Sequence, residues 1–288
     1  MDTLYIWTKD GLRLQGIHYE PPKSGLCVLV VHGMSGNIIE NYFADVLGKR
    51  LSKAGVGCIY GHNRGYNHIN DILKKNGKTI RLGTTYERFN ECLYDIDAWF
   101  SVIKKLGYEK VVLLGHSLGC NKVIRYFSKK NPKGVVGVVL ASPPDMVGLF
   151  EKPEYQPSHK ELLKEAKKNV KEGNPRKLVS GVIWDWYRLS SQTYLDLSER
   201  GGSVDNLPVL QDPDKFLELA QINVPILGIM GEEDDIAIRS LREDLDLIKA
   251  KAVNCPLFTK RFIKGGNHTY GGCENDFSQT VLSWVKGL

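Results

Sequence analysis

The sequence predicts an α/β fold, a mostly parallel sheet covered by helices on both faces. Three observations carry that expectation. After an opening hairpin, strand-like and helix-like segments alternate along the chain. Several strand-like runs are apolar throughout, as strands buried on both faces are. And 288 residues, 42% hydrophobic and 25% charged, suffice for one large α/β domain or two small ones with a substantial core.

The elements follow in order. Leu4–Thr8 and Arg13–Tyr19 flank Lys9-Asp10-Gly11, where Asp-Gly is a hairpin signal. Leu26–Val31 is a continuous apolar run and reads as a buried parallel strand. A helical stretch covers about Ile39–Ala54. Gly57–Tyr60 is the next strand, closed by Asn63-Arg64-Gly65. Tyr86–Leu106 carries Phe89, Leu93, Ile96, Phe100 and Ile103 at three- and four-residue spacing, which predicts an amphipathic helix stopped by Gly107. Val111–Leu114 is a strand that leads into a helix ending near Lys130, and Val135–Leu140 repeats the strand pattern. Pro225–Met230 and Leu257–Ile263 are two further strands, with a helix over about Ile236–Lys249 between them, and Phe277–Val285 closes the chain as a helix.

One segment breaks the rhythm. Between Met146 and about Ile222 no strand is clear. Lys160–Gly173 reads as a charged helix with Leu162, Leu163, Ala166 and Val170 on one side, and Trp184-Asp185-Trp186-Tyr187 follows. The interruption is too long for a plain loop. It is expected to form a helical cap, residues 146–221, inserted into a core made of residues 1–145 and 222–288.

Composition excludes several function classes. Lys and Arg number 39 against 33 Asp and Glu, a net charge of +6 spread along the chain, so solvated lysines are expected and no nucleic-acid partner. No apolar run reaches the roughly 18 residues that span a bilayer, so no membrane span is expected. Met1-Asp2-Thr3-Leu4 lacks a basic n-region followed by a long apolar h-region, so no signal peptide is expected. Of six cysteines, Cys27 and Cys58 sit in apolar strand-like runs, Cys92 in a helical pattern and Cys120 after a glycine turn, and no CxxC occurs. Reduced, packed thiols and a cytoplasmic location are the expectation. A homodimer is left open.

The chemistry-bearing motif is Gly115-His116-Ser117-Leu118-Gly119, of the form G-x-S-x-G, set between a buried strand and a helix. A sharp strand-to-helix turn needs small flanking residues, which Gly115 and Gly119 supply. It would lift the Ser117 hydroxyl beside a helix N-terminus that favours developing negative charge. On these residues the chain resembles the α/β-hydrolases. The resemblance implies about eight strands, a nucleophile Ser117, and an oxyanion hole made by the N–H of Leu118 and an N–H after an early strand. That strand ends in Val30-Val31-His32-Gly33-Met34, similar to the family's His-Gly-x, so Met34 is the implied second donor and His32 a turn-shaping residue.

The family order of nucleophile, acid and histidine supplies the partners. His268, in Gly265-Gly266-Asn267-His268-Thr269 after the last strand, is the implied base. His18, His62, His68 and His159 read as surface or packing residues. The acid is expected after Pro225–Met230, in Gly231-Glu232-Glu233-Asp234-Asp235, which resembles the family's Gly-x-x-Asp turn. Counting from Gly231 selects Asp234, with Asp235 then free to cap a helix starting near Ile236. The run of acids also fits a solvated turn, and no Gly-centred D-x-D-x-D loop supports a cation site.

Serine at the elbow disfavours the branches that use aspartate there, the haloalkane dehalogenases and epoxide hydrolases. Asp10-Gly11-Leu12-Arg13-Leu14, His32-Gly33-Met34-Ser35-Gly36-Asn37, Asn63-Arg64-Gly65 and Ser142-Pro143-Pro144-Asp145 resemble one uncharacterised branch, some of whose fungal relatives are linked to siderophore metabolism. Trp184, Trp186, Tyr187 and Tyr194 either line an acyl pocket or glue the cap to the core. The cap lysines alternate with glutamates, which reads as a solvated face. The resemblance therefore implies a hydrolase of a carboxylic ester or thioester, with a small-molecule acyl substrate and no metal or organic cofactor. An acyltransferase using the same triad and a small-molecule receptor that retains it are the alternatives.

Overall fold

The computed structural model describes the backbone of residues 1–288 and the side chains of all but Gln156 and Pro157. Eight strands form the main sheet: β1 (Asp2–Trp7), β2 (Arg13–Tyr19), β3 (Leu26–Val31), β4 (Gly57–Gly61), β7 (Lys110–His116), β8 (Val135–Ala141), β9 (Ile226–Gly231) and β10 (Phe258–Ile263). The missing numbers, β5 (Asn70–Leu73) and β6 (Thr79–Leu82), pair with each other in a separate hairpin. The main sheet runs β1-β2-β4-β3-β7-β8-β9-β10. β1 and β2 are antiparallel, as are β2 and β4, and every later pair is parallel.

The side-chain period of two sorts the core into layers. Cys27, Leu29 and Val31 of β3 pack beneath the sheet with Ile96, Trp99, Phe100 and Ile103 of α2 (Cys92–Lys105) and with Val123 and Ile124 of α3 (Leu118–Lys130). Val28 and Val30 point the other way, against Phe43, Leu47 and Leu51 of α1 (Tyr42–Lys53) and Phe277, Val281 and Val285 of α8 (Glu274–Val285). This is why β3 reads apolar at every position and not at alternate ones.

Between β8 and β9 lie three helices, α4 (Met146–Phe150), α5 (Gln156–Lys171) and α6 (Ser191–Ser198). They build a third apolar cluster in which Phe150, Leu162, Ile183, Tyr194 and Leu197 meet Phe89 and Leu118 of the sheet-bearing part. Further along, Leu207, Val209, Phe216 and Leu219 pack back into the layer beneath the sheet. Asp145 joins both ends of this stretch. Its carboxylate accepts the Gly148 N–H at 2.8 Å, capping α4, and the Leu210 N–H at 2.8 Å. Burial pushes the Asp145 carboxyl up from 3.8 to about 7, outweighing those two donors. The unfolded chain then releases this proton near pH 4 and the folded chain only near pH 7, so stability should fall across that window as pH rises. Against Asp145→Asn, which does not titrate, the wild-type Tm is expected to drop between about pH 4 and 7 and to run parallel above it. Parallel curves throughout would refute the shift.

Several boundaries differ from those read in the sequence. The helix expected over Tyr86–Leu106 begins only at Cys92, after a short 3-10 turn at Phe89–Glu91. The preceding residues are held in a loop instead. The Tyr86 and Glu87 N–H groups bond the Gly83 carbonyl, and Glu87 turns inward to meet Lys122 at 2.9 Å in a wholly buried ion pair. The β5–β6 hairpin was not anticipated, because its strands are only four residues long and half polar. Asn76-Gly77 in its turn was the available signal. The helix expected from Ile236 starts at α7 (Leu241–Lys251), with Ser240 as its cap accepting the Glu243 N–H at 3.3 Å. Among the described residues Asp235 therefore caps no helix.

The motif residues outside the elbow build a scaffold. Arg64, 2% exposed, bonds Asp95 of α2 at 2.8 Å, Asp10 of the opening turn at 2.9 Å and Glu91 at 2.6 Å. One guanidinium thus ties the first hairpin and α2 to the loop after β4. A buried cation so surrounded is costly to expose by removing any one acid. Cys27, Cys58, Cys92 and Cys120 are buried free thiols.

Candidate active site

β7 delivers Ser117 at the head of α3 with φ 55° and ψ −131°, a conformation L residues adopt only under constraint. The constraint is close packing. A Cβ at Gly119 would strike the Val31 carbonyl, and one at Gly115 the Gly119 carbonyl. A Cβ at Gly33 would sit 2.7 Å from the Ser117 Cβ. Glycine at these three positions lets the elbow, the following helix and the loop after β3 converge on one point. Cys120, one residue on, sends its thiol to the Gly115 and Ala141 carbonyls.

The loop after β3 is equally fixed. His32 is buried, and burial pushes its pKa well down, so the ring is neutral. Its Nδ1–H donates to the Gly33 carbonyl at 2.8 Å and its Nε2 accepts the Asn63 N–H at 2.8 Å. Ser35 donates its N–H to the Thr84 hydroxyl at 2.6 Å. The N–H groups of Met34 and Leu118 have no intramolecular acceptor among the described residues.

His268 stands on the loop after β10. Its Nδ1–H donates to Asp234 Oδ1 at 3.0 Å, which leaves Nε2 as the free ring nitrogen. The Asp234 side chain is fully buried, and the His268 side chain is 27% exposed. Burial alone would raise the Asp234 carboxyl. The His268 ring, the Ser142 hydroxyl and the Ile236 N–H together hold it below the usual carboxylate range. Asp235, its neighbour, is exposed and faces the cleft mouth. His116, between the glycine and the serine of the elbow, donates Nε2–H to the His268 carbonyl at 2.8 Å. Burial drives its pKa down to about 3, so it is a neutral strut for the histidine loop. That role was not foreseen, because the middle position of G-x-S-x-G is nominally free.

Ser117, His268, Gly33 and Met34 all line one cleft of about 350 Å³. No direct Ser117–His268 hydrogen bond is formed among the described residues. Such contacts are often long without substrate and tighten in the reacting complex. Trp184, Trp186 and Tyr187 line the same cleft, with Met146, Leu149 and Ile236. They also pack: Trp184 lies 4.7 Å from Phe150, and Tyr187 stacks on His68 at 5.2 Å. Tyr194, by contrast, is buried away from the cleft and bonds His159 Nδ1 through its hydroxyl at 2.7 Å.

The sequence pattern of the α/β-hydrolase fold matches residues 27–270. The chain belongs to the α/β-hydrolase fold family. No curated protein matches it in sequence. Among solved structures it is similar to Est1E from Butyrivibrio proteoclasticus, at 17% identity and TM-score 0.63 over 100% of this chain and 98% of that one. An esterase from Pyrococcus furiosus shares 16% identity at TM-score 0.61, covering 99% and 90%. A bromoperoxidase from Bacillus anthracis shares 17% at TM-score 0.56, covering 99% and 100%. At such identities the likeness is one of fold. Within this α/β-hydrolase fold the glycine elbow, the His-Gly loop and the histidine loop all sit at the carboxyl ends of parallel strands, where open α/β sheets place their sites. Among the described residues no helix is long and apolar enough to cross a membrane.

Proposed function

We propose that the protein is a serine hydrolase that cleaves a carboxylic ester or thioester through an acyl-enzyme. The observation that carries this reading is the strained Ser117 elbow sharing a cleft with a histidine whose Nδ1 is committed to a buried carboxylate. Ser117 Oγ attacks the carbonyl carbon while His268 Nε2 takes its proton. Asp234 holds the ring in that tautomer and stabilises the imidazolium. The N–H groups of Met34 and Leu118 receive the oxyanion, aided by the N-terminus of α3. His268 then protonates the departing alcohol or thiol. Water, deprotonated by the same nitrogen, adds to the acyl carbon, and collapse of that intermediate returns the Ser117 hydroxyl and releases the acid. The residues 146–221 act as the cap over this cleft.

The aromatic wall favours acyl or leaving groups with an apolar or planar body. Est1E has been crystallised with ferulic acid bound, which is consistent with an aryl group in a cleft of this fold. Labelling by a fluorophosphonate, located on Ser117 by mass spectrometry, tests the nucleophile. A panel of aryl esters, acyl esters of graded length and acyl thioesters, with and without added alcohols or amines, tests the reaction. Absence of labelling favours a receptor, and acyl products on the added nucleophile favour a transferase.

Trp184 is expected to set chain-length preference. Trp184→Ala should change the ratio of kcat/KM between long and short acyl esters by about tenfold, the scale of a single methylene in an apolar pocket. Turnover of an acetyl ester should move less. Trp186 is 66% exposed, so Trp186→Ala should alter stability by no more than about 0.5 kcal/mol. Equal loss on every ester with a lowered Tm would assign Trp184 to packing alone.

A further inference from the structure

One oxygen of the buried acid has no visible partner. Asp234 Oδ1 accepts from His268 and, at 3.1 Å, from the Ile236 N–H, whereas Oδ2 is buried without a hydrogen bond among the described residues. A buried carboxylate oxygen left unpaired is expensive, so a donor is expected within reach. Ser142, one residue past the end of β8, is the candidate. It is fully buried and held at φ 52°, a conformation rare for serine, with its N–H fixed to the Ile229 carbonyl at 2.8 Å. Its hydroxyl lies 2.9 Å from the Tyr270 hydroxyl, and Tyr270 is also fully buried at a positive φ of 57°. Two bulky-to-moderate side chains at left-handed positions beside one carboxylate are the kind of strain that surrounding structure maintains for a purpose.

We infer that Ser142 and Tyr270 form a two-hydroxyl relay that positions the triad acid, with Tyr270 O–H donating to Ser142 Oγ and Ser142 O–H donating to Asp234 Oδ2. Only the hydroxyl hydrogens need choose this direction, and small side-chain adjustment closes the last bond. The alternative, with Ser142 donating to Tyr270 and Tyr270 to the Ile229 carbonyl at 3.4 Å, leaves Oδ2 bare. Ser142 already contributes to holding the Asp234 carboxyl low. Three other titratable groups feel the Asp234 charge. Burial pushes the Cys120 thiol and the Tyr270 phenol well up and the His116 ring down to about 3, so all three stay neutral around neutral pH and none of them sets the acid limb. Both residues act through Asp234 and are positioning residues. The inference rests on the proposed triad.

The decisive variant is Ser142→Gly. Glycine is at ease at φ 52°, so the fold loses no backbone fit, while the hydroxyl disappears. The readout is the rate of fluorophosphonate labelling of the full chain as a function of pH, with Tm recorded alongside. Ser142→Gly should label about tenfold more slowly at neutral pH, the cost of a loosened catalytic geometry. Its acid limb should move to higher pH by about one pH unit, because the carboxylate has lost a charge-assisted donor. Tyr270→Phe, which keeps the stacking on Phe277 at 4.3 Å, should shift the limb the same way by less. An unshifted limb in Ser142→Gly overturns the relay whatever the labelling rate. If Asp234→Asn labels slowly while Ser142→Gly matches wild type, the relay alone has failed. If Asp234→Asn labels as fast as wild type, the acid assignment has failed and the relay falls with it.

Discussion

Ser117→Ala is expected to abolish fluorophosphonate labelling and to lower turnover by about 10⁴-fold or more, since triad members act as a unit. The same variant should barely touch stability. The side chain stands in the cleft at a turn whose backbone strain, φ 55°, is held by Gly33, Gly115 and Gly119 and not by the hydroxyl. Alanine inherits that strain unchanged, so a stability difference beyond about 0.5 kcal/mol is not expected. Thermal unfolding and labelling, measured on one preparation, separate the two effects. Activity retained within tenfold would remove Ser117 from the role of nucleophile.

The second large effect belongs to Asp234. Asp234→Asn should preserve the fold and reduce kcat by about 10⁴-fold, because an amide facing His268 Nδ1 favours the wrong ring tautomer. Asp235 is the control. It is exposed, and among the described residues it caps no helix and its backbone carbonyl accepts from the Lys152 ammonium at 3.5 Å. Asp235→Asn should therefore leave kcat within a few-fold, and Asp235→Ala should cost less than about 0.5 kcal/mol of stability. Had Asp235 been a helix cap, the alanine variant would have cost about 1 kcal/mol. Loss of activity in Asp235→Asn with activity kept in Asp234→Asn would reverse the assignment.

Much of the architecture was legible because its causes are local. β3, β7, β8 and β9 are buried on both faces, so apart from Lys110 and His116 at the two ends of β7 they hold only apolar residues and glycine, and they stand out from the surrounding helices. The elbow was legible because close packing demands small residues at fixed offsets from Ser117. The hairpin β5–β6 was not, since Asn70–Leu73 and Thr79–Leu82 are four residues each, bury one residue apiece, Ile72 and Leu82, and have no apolar run longer than two. The start of α2 was misplaced because Phe89 continues the helical spacing of apolar residues, while the inward pull of Lys122 on Glu87 favours a loop there.

By itself the sequence determined the alternation of strand and helix, the strand–Ser117–helix turn, the His-Gly loop carrying Met34, and the chain order in which Asp234 and His268 must follow. The first three depend on neighbours within a few residues, and the order of Asp234 and His268 is what the resemblance implied. Counting from Gly231 pointed to Asp234 among four consecutive acidic residues, and the tertiary structure supplied the contact itself, Asp234 Oδ1 on the imidazole at 3.0 Å. That contact depends on how the turn after β9 leaves the sheet, which placed Asp234 inside against His268 and Asp235 outside at the cleft mouth. Only the tertiary structure decided that Trp184, Trp186 and Tyr187 face the cleft while Tyr194 turns to His159. Ser142 meets Tyr270 across 128 residues of chain, and His116 meets the His268 carbonyl across 152. Contacts at such separations leave no periodic trace in a single sequence. They exist because the parallel sheet gathers the carboxyl ends of its strands along one edge.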